Sequence, residues 1–372
     1  MHRLLSCLLL CLLPLLVDAV ETPRPKIGLV LSGGAARGLA HIGVLKALEE
    51  QGIHIDAIAG TSMGAVIGGL YASGYKIDEL EKLALGIDWQ QALSDAPPRE
   101  DVPFRRKQDD RDFLVKQKLS IRDDGSLGLP LGVIQGQNLA LLLESMFAHS
   151  SNTRNFDKLP IPFRAVATDI TTGEKVVFSK GHLPQVIRAS MSIPAVFAPV
   201  ELDGRLLVDG GMTDNIPLDV AREMGVDIAI VVDIGTPLRS RKQLATVVDV
   251  LNQSITLMTR RNSEEQLRAL NPKDVLIQPP LAAYGVTDFG RAKDIIDAGY
   301  RATRALDVRL AHLRPAEPID PELVAARTPG ERTPIITAIS VENDSKVSDD
   351  VIRYYIRQTL GEPLNLGRLQ VD

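Results

Sequence analysis

Cysteine is almost absent from this chain. Only Cys7 and Cys11 occur, both inside the leading apolar segment. Once that segment is removed no disulfide can form, and the fold must rest on its core. Aromatic residues are few, and no long basic block stands out. With a net charge of −5 there is no electrostatic footprint for nucleic acid. No cluster of histidine, cysteine and carboxylate has the spacing of a metal site, and no nucleotide-binding pattern is complete, so neither metal nor cofactor is expected. The leading apolar run, Leu4 to Val17, is too short for a comfortable membrane span. It follows Arg3 and ends in Val17-Asp18-Ala19, the pattern of a secretory signal peptide over residues 1–19, cut after Ala19. An uncleaved anchor is the alternative. Cys11 follows Leu10 rather than a small residue, which argues against a lipoprotein.

The organising stretch is Ile55 to Gly64: a short apolar strand, a sharp turn at Gly60-Thr61-Ser62-Met63-Gly64, then a helix from about Ala65 to Ser73. Gly60, Ser62 and Gly64 fit the G-x-S-x-G nucleophile elbow, in which a tight strand-to-helix turn projects a serine hydroxyl from the sheet edge. The glycines remove Cβ atoms that would clash there. The following helix turns its N-terminal N–H groups toward developing negative charge.

A second special loop precedes it. Ile27 to Leu31 reads as a buried strand, Ser32 to Gly38 as a glycine-rich turn, and Leu39 to Gln51 as a helix stopped at Gly52. The loop ends in neither a Walker pattern nor a dinucleotide spacing. It reads instead as an oxyanion hole whose free N–H groups would stabilise a tetrahedral intermediate, with a plain tight turn as the bland alternative. Two such strand–loop–helix units argue for a parallel sheet wrapped by helices, with both loops at the carboxyl ends of their strands.

Further along, residues 89–131 read as a surface excursion. They contain Pro97, Pro98 and Pro103, the basic cluster Arg105, Arg106 and Lys107, and a hairpin signal at Asp124-Gly125. A mobile flap over the site and a solvated insertion are both open readings. Helices are expected over Gln137–Phe147, Leu244–Leu270 and Ala292–Leu313, and strands over Phe163–Thr168, Asp227–Val232 and Val275–Ile277. The apolar stripe of the helix over 244–270 is expected to face the core. Val200–Leu202 and Arg205–Val208 form a hairpin about Asp203-Gly204, running straight into Asp209-Gly210-Gly211. Residues 314–334 are a proline-rich linker. Ile335 to Val341 then reads as a strand and Asp349 to Leu360 as a helix, too short a piece for its own core.

Three pieces stand in order: Gly33-Gly34-Ala35-Ala36-Arg37-Gly38, Gly60-Thr61-Ser62-Met63-Gly64 and Asp209-Gly210-Gly211. The set resembles the patatin-like phospholipase family, over about Ile27 to Leu313. The stretch Ile187 to Pro194 resembles a block shared by bacterial members. The resemblance implies a three-layer α/β fold with a mostly parallel central sheet flanked by helices, residues 27–313, after a leader at 20–26. It implies the Gly33–Gly38 loop as oxyanion hole, Ser62 as nucleophile, and Asp209 of the Asp-Gly-Gly motif as base. Where many members carry a third glycine this chain has Ala35, which still offers its N–H. The tail, residues 335–372, resembles the start of a POTRA domain, incomplete here. That arrangement implies an exported protein of the bacterial type, delivered to the outer membrane, cell surface or medium through a C-terminal POTRA and barrel region.

Serine needs an adjacent base. Asp209 is one choice, a carboxylate at a strand end whose pKa rises with burial. A histidine triad would need His149, His182 or His312, each in a setting that suits a solvated side chain. His41 precedes the serine and is expected to pack locally. For Arg37 a solvated helix-start residue stands against a role in fixing the loop or attracting an anionic head group. The expected activity is phospholipase A-type hydrolysis of acyl esters, with a membrane surface as partner and no nucleic acid. A general esterase or thioesterase, or a non-catalytic lipid-binding passenger, are the rivals, and the oligomeric state is open.

Overall fold

The computed structural model describes residues 24–95, 120–121, 127–128, 131–314, 335–341, 343 and 347–364. Its strands are β1 (Ile27–Leu31), β2 (Ala57–Thr61), β3 (Ser120–Ile121), β4 (Leu127–Gly128), β5 (Gly132–Ile134), β6 (Phe163–Asp169), β7 (Lys175–Phe178), β8 (Ala195–Phe197), β9 (Val200–Leu202), β10 (Arg205–Asp209), β11 (Ile228–Val232) and β12 (Val275–Ile277). Its helices are α1 (Ala40–Glu50), α2 (Met63–Ala72), α3 (Ile77–Gly86), α4 (Trp89–Ala92), α5 (Gln137–Met146), α6 (Leu183–Ser190), α7 (Leu218–Glu223), α8 (Val247–Arg268), α9 (Ala292–Arg304), α10 (Asp307–Leu310) and α11 (Asp349–Tyr355).

The central sheet runs β12-β11-β1-β2-β6-β10-β9, with β7 also on β6. The five strands from β12 to β6 are parallel, and β10, β9 and β7 join antiparallel. Every residue of β1, β2 and β11 is buried, which is why these segments are continuous apolar runs rather than alternating ones. Successive side chains still go to opposite faces. Leu29 and Leu31 join the larger core with α1, α2 and α9, while Val30 joins the smaller one with α7. The result is the three-layer α/β architecture with a mostly parallel sheet. Helices α1 and α9 meet backbone to backbone. A Cβ on Gly43 would lie 1.9 Å from the Ile296 carbonyl oxygen, and one on Gly299 2.0 Å from that of Ala40.

Several sequence expectations need correction. Trp89 does not begin a surface excursion. It is buried, stacks on Phe289 at 4.5 Å between ring centroids, and donates its indole N–H to Ala84 O at 3.1 Å. Burying its large apolar body outweighs the polar pattern that follows. The prolines at 97, 98 and 103 and the basic cluster at 105–107 lie outside the described residues. The hairpin flanking Asp124-Gly125 is present, with Ile121 opposite Leu127. The apolar stripe on α8 is not core: Leu251 is 48% and Met258 50% exposed. This helix leans on a polar loop, and only near its end do Leu267 and Leu270 reach the smaller core. Ala292–Leu313 is broken into α9, α10 and a short turn at Ala311–Leu313. Ile335–Val341 forms no strand, only a bridge from Ile335 to Pro363. Helix α11 ends at Tyr355 rather than Leu360 and buries no residue, so no packing extends it. The sequence reading missed α3, β7 and α7. Residues 1–19, most of the leader and almost all of 314–334 are outside the described residues.

Candidate active site

Strand β6 brings the two key strand ends together. It pairs with β2 at Val166–Thr61 and with β10 at Ala167–Asp209, so the ends of β2 and β10 rest against consecutive residues. Ser62 follows β2 with φ 54° and ψ −124°, in the left-handed half of backbone space that a side chain rarely adopts. Close packing forces that turn. A Cβ on Gly64 would lie 2.3 Å from the Leu31 carbonyl oxygen, and one on Gly60 2.6 Å from that of Gly64. Helix α2 can therefore begin directly against the end of β1.

The Ser62 hydroxyl donates to Asp209 Oδ2 at 2.6 Å. Asp209 Oδ1 accepts the Gly211 N–H at 2.8 Å, and the Asp209 N–H donates to Ser192 O at 2.9 Å. Burial pushes the Asp209 carboxyl up to about 6, against the opposing pull of the Ser62 hydroxyl and the Gly211 N–H. A carboxylate so poised is ionised at neutral pH yet basic enough to take a proton as the serine attacks. Gly210 is required where it stands, because a Cβ there would lie 2.2 Å from Val166 O.

The glycine-rich loop faces the same point. A Cβ on Gly33 would lie 2.9 Å from the Ser62 Cβ and 2.7 Å from Asn215 Oδ1, and one on Gly38 would meet the Met63 side chain at 2.3 Å. Several N–H groups of this loop already have acceptors. Gly33 donates to Asn215 Oδ1 at 3.2 Å, Ala36 to Val286 O at 3.1 Å and Arg37 to Gly34 O at 3.2 Å. The N–H groups of Gly34 and Ala35 have no acceptor among the described residues, which narrows the candidate oxyanion donors to those two. The expectation that the Arg37 N–H contributes is corrected by its bond to Gly34. The Arg37 side chain is not solvated either: it is 3% exposed, and its Nε and Nη1 have no hydrogen-bond partner among the described residues. Burial pulls this guanidinium below its ordinary value, and the Asp233 carboxylate opposes that. Ala35 takes φ +50°, a conformation that suits glycine better than a residue with a Cβ.

The histidines stand elsewhere. His41 Nε2 meets Ser32 O at 2.9 Å, and burial lowers its pKa to about 4, which keeps it neutral. His149 Nε2 meets Ser73 O at 3.2 Å, His182 lies 3.4 Å from Glu144, and His312 is in the turn after α10.

These features place the chain among known proteins. The family model for patatin-like phospholipases matches residues 29–222, more than half of the chain. The chain belongs to the patatin-like phospholipase family. An uncharacterised NTE family protein of Mycobacterium tuberculosis is 35% identical over 210 residues, covering 56% of this chain and 49% of that protein. Lysophospholipase NTE1 of Kluyveromyces lactis is 32% identical over 302 residues, covering 74% of this chain and 18% of that one. The chain thus spans about half the length of the first and under a fifth of the second. VipD from Legionella pneumophila matches in structure with a TM-score of 0.45 and 19% identity, over 76% of this chain and 67% of that chain.

In this patatin-like phospholipase domain the predicted residues of all three motifs converge on one point. Others at the site were missed. Ser190 Oγ accepts the Ser62 N–H at 2.9 Å and donates to Val166 O at 2.6 Å. Arg188 donates to Ser192 Oγ at 2.5 Å and to Gln135 O at 3.0 Å, steadying the turn whose carbonyl holds Asp209. The block Ile187–Pro194 carried the signal for these, but not their role. Thr61 Oγ1 donates to Asp214 O at 2.8 Å, tying the elbow to the acid loop. Asn215 and Asn262 had no signal in the sequence at all.

Proposed function

We propose that this chain is a serine lipid acyl hydrolase of phospholipase A type, with Ser62 and Asp209 as a two-residue catalytic unit. The observation that carries the reading is the buried hydrogen bond from Ser62 Oγ to Asp209 Oδ2 at 2.6 Å, beside two N–H groups without acceptors among the described residues. Asp209 takes the Ser62 proton as Oγ attacks the ester carbonyl carbon. The Gly34 and Ala35 N–H groups bind the oxyanion. Collapse breaks the bond to the leaving alcohol, which receives the proton from Asp209 and departs, leaving an acyl ester on Ser62. Asp209 then removes a proton from water as it attacks that ester, and returns it to Ser62 Oγ as the fatty acid leaves. Family membership and the lysophospholipase named among the relatives support an acyl ester of a phospholipid as substrate, met at a membrane surface.

The test is turnover of a chromogenic acyl ester and of defined phospholipids by wild type and Ser62→Ala, with the products identified. Fatty acid release by the wild type alone supports the reading. Turnover of the soluble ester without any phospholipid cleavage makes it a general esterase. No turnover of either, with lipid still bound, makes it a lipid-binding passenger. We also propose export, supported by Arg3, the apolar run Leu4–Val17 and the small residue Ala19, with a POTRA-like tail from residue 335. Fractionation of cells expressing the full gene tests it, and a purely cytoplasmic pool overturns it.

A further inference from the structure

The base ends strand β10, but the N–H that aims its carboxylate and the oxyanion donors sit on two loops. The acid loop opens with Gly210-Gly211, and consecutive glycines leave a backbone free to rotate. Its internal bonds, from Thr213 and Asp214 N–H to Gly210 O at 3.1 and 2.8 Å, close the turn and hold the Gly210–Gly211 peptide, but do not reach the next carbonyl, Gly211 O. The Gly211 N–H, in the peptide before that carbonyl, orients Asp209 Oδ1.

The anchor comes from α8. Asn262 Nδ2 donates to Gly211 O at 2.9 Å and reaches Met212 O at 3.4 Å, while its Oδ1 accepts the Asn215 N–H at 3.1 Å. One side-chain amide thus grips the loop on either side of its turn. Asn215 passes the restraint on, since its Oδ1 accepts the Gly33 N–H at 3.2 Å, next to Gly34 and Ala35. Its Nδ2 lies 3.4 Å from Ser263 Oγ, again on α8. We propose that Asn262 is a positioning residue that holds the Asp209 loop and, through Asn215, the oxyanion loop in one register. Asn262 does not touch the reacting atoms. It acts by fixing the Gly211–Met212 peptide and so the rotation about Gly211, whose N–H, in the peptide before it, aims Asp209 and lowers its pKa. The inference rests on the Ser62–Asp209 reading above.

Asn262→Asp is the sharp test, because it keeps the volume and the acceptor for the Asn215 N–H but removes both donors to the acid loop. The full chain is assayed with a chromogenic ester from about pH 5 to about pH 9, where the acid limb of kcat/KM reports the base. Misplacing a catalytic group by about 1 Å costs ~10²-fold. The expected result is a fall of that order in kcat with KM little changed, and an acid limb moved to higher pH. Asn262→Ala should behave alike, and melting curves on both variants separate misfolding from misalignment. An Asn262→Asp variant with wild-type kcat and an unmoved acid limb overturns the inference. So does a rate loss that tracks lost melting temperature with the limb in place. Ser62→Ala run in parallel separates the two readings: if it stays active the catalytic assignment fails, and if it is inactive while Asn262→Asp is normal only the role of Asn262 fails.

Discussion

Thr61 and Asp209 lie against neighbouring residues of one strand, Val166 and Ala167 of β6. This register places Ser62, one residue past Thr61, within 2.6 Å of a carboxylate 147 positions away in sequence. No third residue is needed to bridge them. Ser62→Ala should therefore lower kcat by ~10⁴-fold or more, as removal of a serine nucleophile does elsewhere. Asp209→Ala should come close, and the double variant should be barely worse than Ser62→Ala, because partners acting as one unit are not additive. His149→Gln, His182→Gln and His312→Gln should keep most of the activity in a steady-state ester assay. A thousand-fold loss in a folded His182→Gln variant would falsify the two-residue unit.

The raised pKa of Asp209 makes two pH predictions. The kcat/KM profile should lose activity on an acid limb centred near the Asp209 value of about 6, as the base protonates. Stability should respond in the opposite sense. Because the folded-state pKa lies above the ordinary aspartate value of 3.8, folding retains this proton, and the contribution is full below that value and lost as pH rises through about 6. Asp209→Asn should then match the wild type in melting temperature in strong acid and exceed it at pH values well above the folded pKa. Parallel melting curves across that range check it, and an Asn variant less stable at alkaline pH contradicts it.

Ala35 holds φ +50° beside Gly34. A left-handed residue with a Cβ costs roughly 1–2 kcal/mol, while glycine loosens the unfolded chain by about 0.4–1 kcal/mol. Ala35→Gly should therefore stabilise the protein by about 0.5–1 kcal/mol and preserve activity, since the N–H remains. Denaturant titration measures the difference, and a destabilised Gly variant contradicts the strained geometry.

Gly33 has no room for a side chain between Ser62 and Asn215. Gly33→Ala should displace the loop from the nucleophile and weaken its N–H bond to Asn215. Loss of one oxyanion donor costs ~2.7–4 kcal/mol, so kcat should fall by about 10²–10³ with a smaller change in KM. An Ala variant of normal kcat shows that the loop has space the geometry denies it.

Ser190 carries the last prediction. Its hydroxyl is the partner of the Ser62 N–H and lies at 0% exposure. Ser190→Ala leaves a buried N–H unsatisfied at the strained elbow, a cost of about 1–3 kcal/mol. Lower melting temperature together with a reduced kcat is expected, whereas Ser190→Thr keeps the hydroxyl and should recover part of both.

The sequence alone determined the parts whose chemistry is local. Strands β1, β2 and β11 are apolar runs, the elbow needs Gly60 and Gly64 at fixed offsets, and the hairpin before Asp209 needs Asp203-Gly204 at its turn, found here with φ of 52° and 72°. Each is a demand that a few adjacent residues meet by themselves. Ordered motifs were therefore enough to point to Ser62, Asp209 and the glycine loop. Tertiary structure decided what depends on distant neighbours. Which N–H groups of the loop stay free was settled by Val286 and Asn215, and the burial of Trp89 and Arg37 by what packs over them. The stripe on α8 has a core-like period but meets a polar loop, so period could not reveal its exposure. Asn262 is the plainest case. An isolated asparagine in a helix carries no signal until the sheet order brings the acid loop beneath it, because a hydrogen bond is fixed by position in space and not by spacing along the chain.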